Sequence, residues 1–416
     1  MTRTAGRHPA RRPPRRQGDP GRVRVTGDPT DVRAVRDRAE DLLRAYRPGG
    51  SWFFSSPRHA LLAEGVAETL AAPPGTGLGT YAAGVLGSLA GEHPAPVVVG
   101  ALPFDLSRPA HLVVPAVLRR SGPLTAPVGR RAVPTGIRYD VRPVPAPQAY
   151  AAAVAAALGP LRSGALDKVV LARTLELTAA APVDAGAVLR ALAAGDPRAY
   201  VFATDLPAGG VLLGASPELL VSRTGTTVVA HPLAGSAARS ADPGQDAALA
   251  AGLDASAKNR REHALVVDTV VEALRPLSRR LDVPAEPSLV GTARMWHLGT
   301  RITAELADPA TTALTVAEAL HPTAAVCGLP PAAARAAIAE LEPFDRGFYS
   351  GLVGWVDAAG DGEWALSLRC AEVRDRELRL FAGAGIVAAS DPAAELAETT
   401  AKFRTLLDAL GVRDEP

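Results

Sequence analysis

Glutamates on two helices and a lysine on a strand stand where apolar side chains belong. In RREHALVVDTVVEAL, Glu262 shares a helical face with Val266 and Val270, at i+4 and i+8, so a carboxylate sits on the apolar stripe. In the last helix, Glu395, Glu398 and Lys402 fall at i, i+3 and i+7 and lead into Leu406 on the core side. A buried carboxylate without compensation is costly. Like charges gathered indoors need a cation, and oxygen ligands suit a hard ion such as Mg²⁺, which keeps waters and takes further ligands from its substrate. The bland alternative is a Glu398–Lys402 pair on a wet helix face.

The lysine lies in LDKVVLART, residues 166–174. Lys168 opens a β-branched apolar run that has the pattern of a strand destined for burial, on the same face as Val170 and Ala172. Its bland alternative is a strand-end lysine reaching out to water. Positive groups recur near the C-terminus, with Arg369 in LSLRCAEV, then the glycine turn FAGAGIV, then Lys402. Gly383 and Gly385 free backbone N–H groups to approach an anion. Together these residues describe a pocket for a small carboxylated ligand bridged to a metal. GAGIVA also fits a dinucleotide fingerprint, but SDP intervenes before the helix and no ribose-binding acid follows in a βαβ unit.

The elements that must position these groups follow from local pattern. Apolar runs SWFFSS, PVVVGALPF, AHLVVPAVL, KVVLARTLEL, AYVFATD, GGVLLGAS, ELLVSRTGTTVVAHPLAGS, YSGLVGWVDA, EWALSLRCAEVR and ELRLFAGAGIV predict strands, with SRTGTT a hairpin turn. Helices are expected over 31–46, 147–159, 245–279, 314–320, 330–341 and from Pro392 to about Leu410, the last opened by Asp391 as cap and Pro392 in the first turn. Strands outnumber helices and hairpins are frequent. The fold class is therefore α+β, with large antiparallel sheets rather than a doubly wound parallel one.

The chain has 416 residues, 47% of them hydrophobic, enough to bury a sizeable core. Residues 1–25, rich in Pro, Gly and Arg without apolar periodicity, are expected to form a disordered basic tail, and 26–416 a single large domain with its chemistry in 145–410. Lysine plus arginine total 45 against 43 acids, so no overall field draws the molecule to nucleic acid or membrane. Two cysteines are too few for a disulfide framework. No apolar stretch approaches the roughly 20 residues that span a bilayer. A soluble, cytoplasmic protein is expected.

In family order, the segments KVVLAR, GASPELL, HPLAGS, REHALVV, WHLGT, LHPTAAVCGLP, EPFDRGFYSGLVGWVDAAGDGEWALSLRCAEV and LFAGAGIVAASDPAAELAETTAKF resemble the chorismate-utilising enzymes. Within that family they look like isochorismate synthases, particularly those of catecholate siderophore pathways. The resemblance covers about 145–405, and SPRHALLAEG near the N-terminus is similar too. It implies two mostly antiparallel sheets packed face to face with helices around them. It also implies a Mg²⁺-dependent conversion of chorismate to isochorismate, in which water adds at ring C2 and the C4 hydroxyl leaves.

By the same resemblance Lys168 is the general base for the water and Glu218 of SPELL the general acid for the departing hydroxyl. A lysine near its reference pKa of about 10.4 is a poor base at neutral pH, so partial burial or a nearby cation must act on it. Glu262 and Glu398 carry over as Mg²⁺ ligands, with Glu395 one layer behind them. Tyr349, Arg369, Lys402 and the Gly383 backbone match positions for the enolpyruvyl carboxylate, for which a planar guanidinium is suited. His297 of WHLGT and Gly235 with Ser236 of LAGS line the ring site. His321 in LHPT is expected to be structural. Some relatives carry an acid where this chain has Asn259, so no outer carboxylate is expected from that position.

The resemblance also sorts the relatives. Anthranilate synthases generally lack a lysine matching Lys168, and aminodeoxychorismate synthases place a nucleophilic lysine where this chain has Ala234. Salicylate synthases, which go on to eliminate pyruvate, are the runner-up, and a menaquinone-pathway isochorismate synthase is a further alternative. A monomer without a glutamine amidotransferase subunit is expected.

Overall fold

The computed structural model describes Thr2 and residues 38–73, 75–89, 96–125 and 137–412. The expected basic tail, apart from Thr2, and residues 31–37 of the first expected helix lie outside the described residues; that helix is seen as Ala39–Ala45.

The strand Lys168–Ala179 shows how the sequence builds the layers. Its side chains alternate: Lys168 and Val170 face a cleft and Ala172 the interior between two leaves of sheet, while Leu175 and Leu177 pack beneath helices. Along almost its whole length it pairs with Glu377–Ile386, which pairs in turn with Cys370–Arg374 and that with Val211–Ser216. A second leaf holds Val97–Leu102, Leu352–Asp357, Gly362–Leu366 and Leu219–Thr224. Trp52, Phe54, Phe202, Val353, Trp355 and Phe381 fill the space between the leaves.

Helices close the outer faces. Pro392–Leu410 and Ala185–Gly195 bury Phe403, Leu406, Val188 and Leu189 against the first leaf. Ala257–Leu274 and Ala313–Leu320 bury Val270, Leu274, Leu314 and Val316 against the second. The expected α+β layering is therefore present. The leaves are not two separate sheets, however. Ser51–Ser55 pairs with Ala60–Leu70 on one side and Tyr200–Asp205 on the other, so seventeen strands among the described residues form one antiparallel network that doubles back on itself. A smaller sheet joins Leu233–Ala238, Met295–Gly299 and Ser288–Gly291.

Three local expectations change. The helix expected over 245–279 is two helices, Pro243–Ala255 and Ala257–Leu274, divided at Ser256, whose hydroxyl accepts the Asn259 N–H at 3.3 Å and caps the second. It ends in a short 3₁₀ turn and a strand, Ser278–Asp282. EWALSLRCAEVR is two strands, because Arg369 takes φ 48° between them. FAGAGIV is not a turn but the end of a regular strand. Cys327 and Cys370 are buried free thiols, and no helix among the described residues is long and apolar enough to cross a membrane.

Candidate active site

Strands from the first leaf, two helices and the smaller sheet converge on a cleft whose empty space, open solvent at its mouth included, is about 650 Å³. Lys168, Glu218, Gly235, Ser236, Glu262, His297, Tyr349, Arg369, Gly383, Glu398 and Lys402 all line it. Glu395, the remaining residue singled out from the sequence, does not.

Lys168 is 1% exposed, and its Nζ lies 3.0 Å from Glu262 Oε1. The strand-end reading therefore fails: the side-chain nitrogen is inside, facing an acid delivered by a helix. Glu262 occupies the apolar face of that helix, with His263, Val266 and Val270 buried beside it. It fits because Gly385 has no side chain; a Cβ there would stand 2.1 Å from Glu262 Oε1 and 2.9 Å from Lys168 Cε. Gly383, on the same face two residues earlier, likewise leaves room for the Tyr349 hydroxyl, which would meet a Cβ at 2.8 Å. The glycines thus serve the site chiefly by omitting side chains, and neither has a left-handed φ.

Glu398 belongs both to the cleft and to a helical pair: Lys402 Nζ donates to Glu398 Oε1 at 2.5 Å and to the Gly383 carbonyl at 2.9 Å. Glu395, one turn earlier, is buried and accepts from Lys258 Nζ at 2.6 Å. Burial and repulsion from Glu398 push its carboxyl above the ordinary range despite that bond. Lys258 immediately precedes Asn259, whose own Cβ packs against Gly235, at φ 78°.

Glu218 has the clearest electrostatic signature. It is buried after Pro217, accepts the Leu233 N–H at 3.2 Å, and burial pushes its carboxyl up to about 7, against the opposing pull of that bond, Lys168 and Arg369. At neutral pH it is therefore partly protonated and able to donate. His297 is the reverse case. Burial, with the charges of Arg369 and Lys402, holds its imidazole well below the usual range, so it is neutral; Nδ1 lies 3.0 Å from Ser236 Oγ and Nε2 has no partner among the described residues.

Arg369 supplies a guanidinium to the cleft wall with no hydrogen-bond or ion-pair partner among the described residues, and burial lowers its pKa. It and Ser350, also lining the cleft, are non-glycine residues with left-handed backbone, φ 48° and 60°. Such conformations concentrate at functional sites. His321 is not among the residues lining the cleft; its Nε2 contacts the Phe104 carbonyl at 3.0 Å.

Sequence reasoning overlooked the support behind the cleft. Arg346 donates to both oxygens of Glu342, at 2.8 and 2.6 Å, and to the carbonyls of Val326 and Val170, while Glu342 also accepts the Ala172 N–H. This bonding ties the strand of Lys168 to the segment leading to Tyr349, with Arg346 5.9 Å from the Tyr349 ring. The signal available was the i,i+4 spacing in EPFDR, which alone does not distinguish a buried pair from a surface one.

Residues 134–411 match the family described as chorismate binding enzymes. The isochorismate synthase DhbC of Bacillus subtilis is 49% identical over 386 residues, 90% of this chain and 97% of that protein. The putative isochorismate synthase MenF of Mycobacterium tuberculosis is 52% identical over 331 residues, 76% of this chain and 87% of that one. The crystal structure of a putative 2,3-dihydroxybenzoate-specific isochorismate synthase, DhbC from Bacillus anthracis, superposes with a TM-score of 0.86 at 44% identity, covering 90% of this chain and all of that one. The chain belongs to the chorismate-binding enzyme family, and among these relatives it is similar to isochorismate synthases.

Proposed function

We infer that this protein is an isochorismate synthase, an isomerase that converts chorismate to isochorismate. The observation that carries the reading is an acid held near neutrality, Glu218, in the same cleft as an enclosed amine, Lys168. Adding water at C2 while the C4 hydroxyl departs requires one group to take a proton from water and another to deliver one to the leaving oxygen. In the free amine form Lys168 takes the first proton. Glu218, protonated, gives the second, and one water enters as another leaves, so the ring changes isomer without net gain of atoms.

Arg369, Lys402 and the Tyr349 hydroxyl offer donors to a carboxylate, and the unfilled valence of Arg369 makes it the principal anchor. Neutral His297, turned by Ser236, offers Nε2 to a ring hydroxyl or carboxylate oxygen. Two further carboxylates, Glu262 and Glu398, fit a Mg²⁺ ion by donor type, and the space left by Gly385 admits the Glu262 oxygen. Among the described residues no three His, Cys, Asp or Glu side chains gather as a self-sufficient metal cage. Water and a substrate carboxylate would complete the coordination. When bound, the ion would neutralise and grip that carboxylate; Glu395, held by Lys258, would orient the ligands from behind.

The similarity to DhbC supports supply of a 2,3-dihydroxybenzoate siderophore pathway. Reaction with water rather than ammonia gives no reason for an amidotransferase subunit, and we propose a cytoplasmic monomer. Incubating the purified chain with chorismate and Mg²⁺ and resolving products by chromatography tests the reading: isochorismate supports it, whereas salicylate with pyruvate, or no turnover, overturns it.

A further inference from the structure

The strand that presents Lys168 to the cleft presents Arg173 to the opposite face, five residues on, where the C-terminal helix lies. Arg173 is 2% exposed and has no ion-pair partner among the described residues. Its Nε donates to Thr399 Oγ1 at 2.8 Å and Nη2 to Thr400 Oγ1 at 2.6 Å. Both hydroxyls donate in turn to the Leu396 carbonyl at 2.9 Å, so each has a fixed orientation. The guanidinium lies 5.0 Å from the Phe403 ring and 5.9 Å from that of Tyr150.

Packing alone does not require an arginine here. A buried cation costs desolvation, and replacing buried ionic groups by apolar ones of similar volume is often neutral or stabilising, so the retained charge points to specificity. The helix supplies the need for it. Phe403, Leu406, Leu407 and Leu410 anchor its second half in the core, but of the residues before Thr399 only Leu396 packs with a hydrophobic cluster, and partly. Glu398 and Lys402 flank the two threonines. Successive helical residues are about 100° apart, so a slip by one position would turn Glu398 away from the cleft.

We propose that Arg173 is a positioning residue: its planar fork engages two successive hydroxyls and fixes the rotational phase at which Glu398 and Lys402 face the cleft. One short strand, KVVLAR, then supplies both the base and the clamp that aligns the opposing helix. This rests on the isochorismate synthase reading for its kinetic consequence.

Removing Arg173 itself risks misfolding, so the test uses the threonines. The double variant Thr399→Val, Thr400→Val keeps the branched shape and loses both acceptors. Its kcat/KM for chorismate, measured on folded protein, is expected to fall by about tenfold to a hundredfold, the scale of a misplaced catalytic group. Thr399→Ser, Thr400→Ser, which keeps both hydroxyls, should restore most of the rate. Amide exchange should quicken over residues 392–402 in the valine variant but not over 403–410. Wild-type kcat/KM in the valine variant, or a lowered melting temperature with kcat/KM unchanged, overturns the proposal. If the wild-type chain makes no isochorismate, the functional reading fails separately, and the exchange pattern alone decides the clamp: unchanged exchange at 392–402 overturns it.

Discussion

Two groups of enclosed charges lie back to back in this protein and are finished differently. Behind the cleft, Glu342 and Arg346 complete each other: both carboxylate oxygens, three guanidinium nitrogens, two carbonyls and the Ala172 N–H are joined. In the cleft Lys168 pairs with Glu262 and Lys402 with Glu398, but three other groups are left open. Among the described residues, His297 Nε2 has no partner, Glu218 accepts a single backbone N–H, and Arg369 has none of the bonds that saturate Arg346. Buried polar groups in native proteins are nearly always satisfied, so valence left unfilled on cleft walls marks where a ligand supplies the missing partners. The saturated pair holds the frame; the unsaturated set is available for chemistry.

The sharpest break of that contrast comes from Lys168→Ala. Its turnover should fall by about 10² to 10⁴, the usual contribution of a positioned acid or base, while chorismate binding survives. Product chromatography and ligand titration separate the two, and substantial residual turnover would remove Lys168 from the chemistry. On the other side, Arg346→Met strands Glu342 and should destabilise the fold by about 3–5 kcal/mol, as breaking one half of a buried pair does. Denaturant unfolding reads this, and an unchanged midpoint would show the pair to be dispensable.

Glu262→Gln should raise the Mg²⁺ concentration needed for half-maximal turnover by about 10- to 100-fold. Gly385→Ala should do the same in kind, because its Cβ would collide with Glu262 Oε1. An identical metal titration in both would reassign the metal ligands.

The smallest effect is in pH. Glu218 has its carboxyl raised to about 7, so the proton it donates is lost as pH rises through that value. In the free enzyme kcat/KM should therefore decline above about pH 7, and the residual rate of Glu218→Gln should not follow that limb. Stability follows the same sign: a raised folded-state value favours the native state below the unfolded pKa and loses that favour as pH climbs to about 7. A kcat/KM profile flat across pH 7 would count against Glu218 as the acid.

Much of the frame was legible. The C-terminal helix begins at Pro392 behind an Asp391 cap that accepts two N–H groups, as its sequence predicts, because capping and periodicity act over a few residues. The division at Ser256 was hidden by an apolar pattern that continues on both sides. The continuity of the two leaves was hidden as well, since it depends on Ser51–Ser55 meeting Tyr200–Asp205 across about 150 residues of chain.

The sequence by itself determined which charges would be carried on apolar faces, since side-chain direction follows from helical and strand periods. It could not determine the partner of each. Lys168 with Glu262, Lys258 with Glu395 and Arg173 with Thr399 join residues 94, 137 and 226 positions apart. Those distances were decided only when the sheet doubled back and the helices docked. Electrostatic and hydrogen-bond energies depend on separations of a few ångströms, and only tertiary packing sets those.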